Sequence, residues 1–253
     1  MKVLLTSDTH LGLTKEPELR RMFKRMATLE ADLLIHAGDY SGGFTGHKLV
    51  ALTCAMLRDA MPAVPVLTVI GNHDYWSGMG PPRGRGRRGV AYAKPSRQQF
   101  DDNLAGLRKA FKEHRFWFLD QDGVYRDERF PGLVIAGHSG WYGHRIDTND
   151  WEYLPRDFDG MDPQSHMAAQ AHAGLMRNLG QLTDADTNRI FLSHFPVVEP
   201  EDYGASPNLF PQLEANHGMK RFIQGHFHRR HEGPQLWEAG SDYGKPRYVE
   251  ITL

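Results

Sequence analysis

The sequence predicts a mixed α/β fold. Two observations carry that expectation. Short apolar runs of strand length recur along the chain, and many of them are separated by stretches whose apolar residues repeat at helical spacing. The first run is residues 3–5, Val-Leu-Leu. Residues 16–29 then place Leu19, Met22, Phe23 and Met26 on one helical stripe. A second run follows at 33–35. Residues 48–60 form the next stripe, with Leu49, Leu52, Met56 and Leu57. After a third run at 66–70, residues 97–111 repeat the pattern through Phe100, Leu104, Leu107 and Phe111. A fourth run at 133–136 precedes a helical stretch at 167–179, and two more runs lie at 190–192 and 222–223. Beyond Phe191 the pattern shifts toward strands and turns, with Gly233-Pro234 and Gly244 as breakers.

Two stretches break the alternation. Residues 76–96 are rich in Gly, Pro and Arg, and residues 139–163 are rich in aromatic and charged side chains. Irregular segments of this length inside a domain tend to be functional or disordered. With no internal repeat and no interdomain linker, one domain over residues 1–253 is expected.

A formal net charge of −1 gives no whole-chain attraction to nucleic acid or to an anionic membrane. Cys54 is the only cysteine, which excludes an intramolecular disulfide and fits a reducing compartment. The N-terminal apolar run is too short for a signal-peptide core, and no segment approaches the roughly 20 apolar residues that span a bilayer. A cytoplasmic location without membrane attachment is expected.

The chemistry lies just past the ends of the apolar runs. The first leads to Asp8-Thr9-His10, the second to Gly38-Asp39 and the third to Gly71-Asn72-His73-Asp74. The run at 190–192 leads to His194, and that at 222–223 to Gly225-His226-Phe227-His228. In α/β sheets, ligands gather outside the carboxyl ends of the strands, so five distant segments can meet at one point. Residues i and i+2 of extended backbone share a side, so Asp8 with His10, and His226 with His228, are expected to present paired ligands. The glycines before Asp39, Asn72 and His226 are expected to permit tight turns or close backbone approach. Carboxylates, imidazoles and one amide oxygen suit borderline or hard divalent ions. Seven ligands exceed the three or four of a single zinc site and suit two ions.

These ordered motifs resemble the signature of the calcineurin-like metallophosphoesterases, and they run from residue 8 to residue 228. The resemblance implies a four-layer α/β/β/α sandwich with two mixed β-sheets. It gives Asp8, His10 and His228 to a first metal ion, Asn72, His194 and His226 to a second, and Asp39 to both. It gives His73 a catalytic place beside the leaving group, either protonating it or stabilising the transition state. Manganese is the expected ion, with iron, zinc, cobalt or nickel as alternatives. The implied reaction is attack on a phosphoester by a hydroxide held between the two ions.

Within that chemistry, a phosphodiesterase acting on a small molecule or nucleotide is expected. Asp39 is followed by Tyr40-Ser41-Gly42-Gly43, not by the Gly-Asp-x-x-Asp-Arg-Gly continuation of the protein phosphatases. The Gly-Asp-x-Phe-Asp run of the repair nucleases is also missing. A phosphomonoesterase, a nuclease and an idle scaffold on the same fold are the alternatives. Asp74 is read either as orienting His73 or as a cap.

Candidate substrate-binding residues are His138, Trp141 and Tyr142, in an aromatic segment that follows a strand-like run. Arg83 and Arg85, with Arg87 and Arg88, form a second candidate, able to clamp phosphate or to contact a nucleic-acid backbone. Nucleic acid is not the favoured partner. Each candidate has a plainer reading, as a packed loop or a solvated one.

Overall fold

The computed structural model describes residues 1–42, 47–75, 95–140, 154–155, 157–197, 209–242 and 244–253. The first half runs β1 (Lys2–Thr6), α1 (Glu16–Met26), β2 (Leu33–Ala37), α2 (His47–Ala60), β3 (Val66–Val69), α3 (Asn72–Tyr75), α4 (Arg97–Glu113), β4 (Phe116–Phe118) and α5 (Leu119–Asp122). The second half runs β5 (Tyr125–Arg126), β6 (Leu133–Gly137), α6 (Pro163–Leu179), β7 (Asn188–Ser193), α7 (Leu209–His217), β8 (Arg221–Gln224), β9 (Arg230–Glu232), β10 (Leu236–Ala239) and β11 (Val249–Thr252).

Side-chain alternation decides the layers. In β1, Val3 and Leu5 face one side and Leu4 the other, as the two-residue period requires. Leu33 and Ile35 of β2, and Leu67 and Val69 of β3, share the side of Val3. That set packs against Ile135, Ile190, Leu192 and Ile223 from a second sheet. Leu4, Leu34 and Val66 face outward onto Leu19 and Phe23 of α1, Val50 and Leu57 of α2, and Phe100 and Phe111 of α4. On the far side, Val134, Phe191 and Phe222 pack under Leu175 and Leu179 of α6 and Leu213 of α7. Burying each such side chain is worth about 1.5–3 kcal/mol. Strands that are apolar on both faces demand cover on both, and the result is helix, sheet, sheet, helix.

The first sheet has the order β11-β1-β2-β3-β4 and the second β5-β6-β7-β8-β10-β9. β1 to β4 are mutually parallel, and β11 joins antiparallel at the edge of β1. β6, β7, β8 and β10 are parallel, flanked by antiparallel β5 and β9. Both sheets are therefore mixed, as expected. The parallel strands end on one rim, where Ser7 bridges to Gly240 and ties the two sheets together. Ser7 N–H donates to the Ala239 carbonyl, and Ser241 N–H donates to the Ser7 carbonyl.

The six apolar runs lie in β1, β2, β3, β6, β7 and β8, and the four helical stripes lie in α1, α2, α4 and α6. The sequence pattern did not reveal β4, β5, β9, β10 and β11. β9 is exposed throughout, β5 has two residues, and β11 alternates buried with exposed. β5, β9 and β11 carry no continuous apolar run; the Phe-Trp-Phe run of β4 was overlooked.

Candidate metal centre

The ligand candidates gather at the rim where the parallel strands end. Asp8 and His10 follow β1, Asp39 follows β2, Asn72 opens α3 after β3, His194 follows β7, and His226 and His228 follow β8. One ligand atom from each of Asp8, His10, Asp39 and His228 lies within 4.8 Å of the others. A second group adjoins it. His194 Nε2 lies 3.2 Å from Asn72 Oδ1, and the His226 ring lies 5.3 Å from the His194 ring between centroids. Asp39 stands between the groups. Its Oδ2 is 3.7 Å from His10 Nε2 and 3.6 Å from His194 Nε2.

The backbone that delivers these groups is not extended, which corrects the same-side argument for Asp8 with His10 and His226 with His228. Asp8, His10, Asp39, His226 and His228 have φ of 54°, 42°, 55°, 72° and 51°. Left-handed backbone at a residue with a Cβ costs roughly 1–2 kcal/mol. The loops offset that strain by continuing the β1–β2 pairing: Asp8 N–H donates to the Gly38 carbonyl, His10 N–H to that of Asp39 and Leu11 N–H to that of Tyr40. The glycines act as expected. A Cβ on Gly71 would sit 2.1 Å from Asp39 Oδ1, and one on Gly38, itself at φ +91°, would sit 2.6 Å from His194 Nδ1. Neither position admits a side chain.

Hydrogen bonds fix the imidazoles in the form that ligates. His194 Nδ1 faces the Ala37 carbonyl at 2.8 Å, and His10 Nδ1 faces that of Ser41 at 3.2 Å. Each carbonyl needs an N–H, which leaves Nε2 of both rings as the lone-pair donor. Burial, and then the neighbouring histidines, hold both rings well below the ordinary histidine pKa and therefore neutral. Burial pushes the Asp8 carboxyl upward, against the lowering effect of bonds from the Ser7 hydroxyl and the His226 N–H. Asp8 Oδ1 is buried and accepts no hydrogen bond from the described residues. A buried carboxylate oxygen with no donor is where a cation would bind. Neutral imidazoles, carboxylates and an amide oxygen around it are a donor set that fits divalent metal.

His73 borders the cluster. Its N–H donates to Asp39 Oδ1 at 2.9 Å, and its ring meets the His10 ring edge-on at 4.5 Å. Burial lowers its pKa to about 3, with the Gly42 carbonyl opposing and His228 and His226 adding to the shift. Of the two readings of Asp74, the cap is the one its hydrogen bonds support. Its carboxylate accepts from Gly71, Ser41 and Tyr40 N–H groups at 3.0, 3.0 and 3.3 Å. It thus caps its own short helix and ties the Asp39 loop to the Asn72 turn. Asp74→Ala strands three buried donors, so metal affinity is expected to fall roughly 10–100-fold. Competition with a chelating dye measures this, and unchanged affinity contradicts the tie.

His138 follows β6 and lies outside the cluster. Its Nδ1 accepts from Gly140 N–H at 3.3 Å, and its Nε2 lies 3.5 Å from Asp120 Oδ2. Trp141, Tyr142, Arg83 and Arg85 lie outside the described residues. Sequence reasoning missed the buried Glu238, which accepts from Gln224 and Arg229 beside the His226–His228 turn. No motif marks it, because Gln224 and Arg229 lie nine or more residues earlier in the chain. Among the described residues no helix is long and apolar enough to cross a membrane.

Comparison with known proteins agrees with this fold. The chain resembles the crystal structure of TT1561 of Thermus thermophilus, with a TM-score of 0.57 at 15% identity over 96% of this chain and 90% of that one. It also resembles purple acid phosphatase PPD1 from yellow lupin (Lupinus luteus) seeds, with a TM-score of 0.51 at 12% identity. That match covers 100% of this chain but only 46% of the lupin enzyme. At such identities the likeness speaks for the fold. No curated protein matches the chain by sequence. The model of one family, described as calcineurin-like phosphoesterase, matches residues 1–230. With nearly the whole chain matched, and the expected four layers and candidate metal cluster in place, the protein belongs to the calcineurin-like phosphoesterase family.

Proposed function

We propose that the chain is a dinuclear metal-dependent phosphoester hydrolase, acting on a phosphodiester of a small molecule or nucleotide. The observation that carries the dinuclear reading is the position of Asp39, whose Oδ2 faces His10 of one group and His194 of the other. Asp8, His10 and His228 would hold one ion, Asn72, His194 and His226 the second, with Asp39 shared. Manganese is the first choice for such oxygen and nitrogen donors, and iron, zinc, cobalt and nickel share the preference. Bound there, divalent ions supply Lewis acidity toward phosphoryl oxygens and make water a nucleophile near neutral pH.

The chain's own residues do the rest. Buried neutral histidines place lone pairs without competing protons. Ser7 and the His226 N–H hold one oxygen of Asp8, leaving the other for the ion. His73 borders the cluster as a neutral ring, able to donate a hydrogen bond to charge that develops during the reaction. The Tyr40-Ser41-Gly42-Gly43 continuation after Asp39 departs from the protein-phosphatase run and argues against a phosphoprotein substrate; a small-molecule or nucleotide diester is the reading put to the test.

The test is hydrolysis of bis-p-nitrophenyl phosphate and p-nitrophenyl phosphate with added manganese. The proposal expects turnover of both, faster on the diester. Preference for the monoester overturns the diesterase reading. No turnover by chain that has bound manganese overturns the hydrolase reading in favour of a scaffold.

A further inference from the structure

Ile70 follows β3, Phe118 closes β4, and His138 and Gly140 follow β6. The ends of these three strands, with α4 and α6, line a cavity of about 600 Å³. That volume lies within the range of small-molecule sites. None of the seven metal-ligand candidates is among the described residues that line it, yet it shares backbone with them. Ile70 and Tyr75 bracket Asn72 in the sequence. Ser139, between the lining residues His138 and Gly140, accepts the His194 N–H on its carbonyl at 3.1 Å. The Ser139 hydroxyl accepts the Ile70 N–H at 2.8 Å. The segments that line the cavity are therefore tied directly to those that carry Asn72 and His194.

Its lining combines two chemistries. Leu107, Phe118, Met167 and Ala171 provide apolar surface, while Tyr75, Arg108, Asp120, His138 and Arg177 provide polar groups. Asp120 is engaged from within. Its Oδ1 accepts from Ser139 N–H at 2.8 Å, and its Oδ2 faces His138 Nε2 at 3.5 Å. Arg177 donates to the Asp120 carbonyl at 2.5 Å. Two guanidinium groups against one carboxylate leave a surplus positive charge at the cavity.

We propose that this cavity receives the organic part of the phosphoester, and that the group it favours has a flat apolar body with one anionic end. The apolar lining suits the body, and Arg108 with Arg177 suits the charge. The inference rests on the phosphoesterase reading, because it places the phosphate at the neighbouring cluster.

Calorimetric Kd values for two non-hydrolysable probes on the manganese-loaded chain test it. Methylphosphonate engages only the metal centre, whereas 3-carboxyphenylphosphonate adds the aromatic body and the second charge. The wild-type chain is expected to bind the aryl probe roughly tenfold tighter or more. Arg108→Ala should shrink that ratio, and Ala173→Trp, which places bulk at an exposed lining position, should erase it. Taking the ratio on each variant cancels any damage to the metal centre that affects both probes. Equal Kd values in the wild type, or a ratio that survives both substitutions, overturn the inference alone. Failure to bind methylphosphonate together with failure to hydrolyse bis-p-nitrophenyl phosphate overturns the phosphoesterase reading, and this inference with it.

Discussion

Asp39→Ala is expected to lower metal content and to reduce phosphoester hydrolysis by on the order of 10³-fold or more. The size of the effect comes from geometry. A terminal ligand serves one ion, but Asp39 Oδ2 faces nitrogen donors of both groups, 3.7 Å from His10 Nε2 and 3.6 Å from His194 Nε2. Its Oδ1 accepts the His73 N–H, so the substitution also releases the turn that carries Asn72. Asp39→Asn separates these roles. The amide oxygen can still accept from His73, but the negative charge between the two ligand groups is gone. The variant should fold normally and still lose metal. Metal analysis after gel filtration reads the outcome, and full occupancy with retained turnover in Asp39→Ala contradicts the shared-ligand assignment.

His73→Ala is expected to keep its metal and to lose turnover by roughly 10²–10³-fold. The residue lies outside the group formed by Asp8, His10, Asp39 and His228, so metal content should not depend on it. Burial holds the ring neutral, with a pKa lowered to about 3, and the neighbouring rings of His228 and His226 further disfavour a proton there. Of the two roles implied by family resemblance, that environment favours hydrogen-bond stabilisation over proton donation, because a neutral imidazole is a poor acid. Losses on alkyl and nitrophenyl esters should therefore be similar. A loss that grows with the leaving group's pKa would assign proton transfer to His73 instead. Loss of metal from the variant would make it a ligand.

The gathering of the ligand candidates on one rim was legible in the sequence because each follows a strand that is apolar on both faces. Such strands announce themselves as short runs, and the residues just past their carboxyl ends must emerge on one rim. The left-handed backbone at Asp8, His10, Asp39, His226 and His228 was not legible. Nothing in an Asp-Thr-His string distinguishes a turn held by the neighbouring loop from continued strand. The same holds for Asp74, whose three donors include two from a loop more than thirty residues earlier. The edge strand β11 escaped because it alternates apolar with polar residues and lacks an apolar run. The cavity beside the centre escaped because Tyr75, Arg108, Asp120 and Arg177 come from four separate elements and meet only in the folded chain.

The central claim is that two ions share one carboxylate. Electron paramagnetic resonance of manganese-loaded chain, with the metal quantified on the same sample, tests it most directly. The account predicts two manganese ions per chain and the spectrum of an exchange-coupled pair, with the coupling abolished in Asp39→Ala. One ion per chain, or two ions showing only isolated-ion spectra, would contradict it.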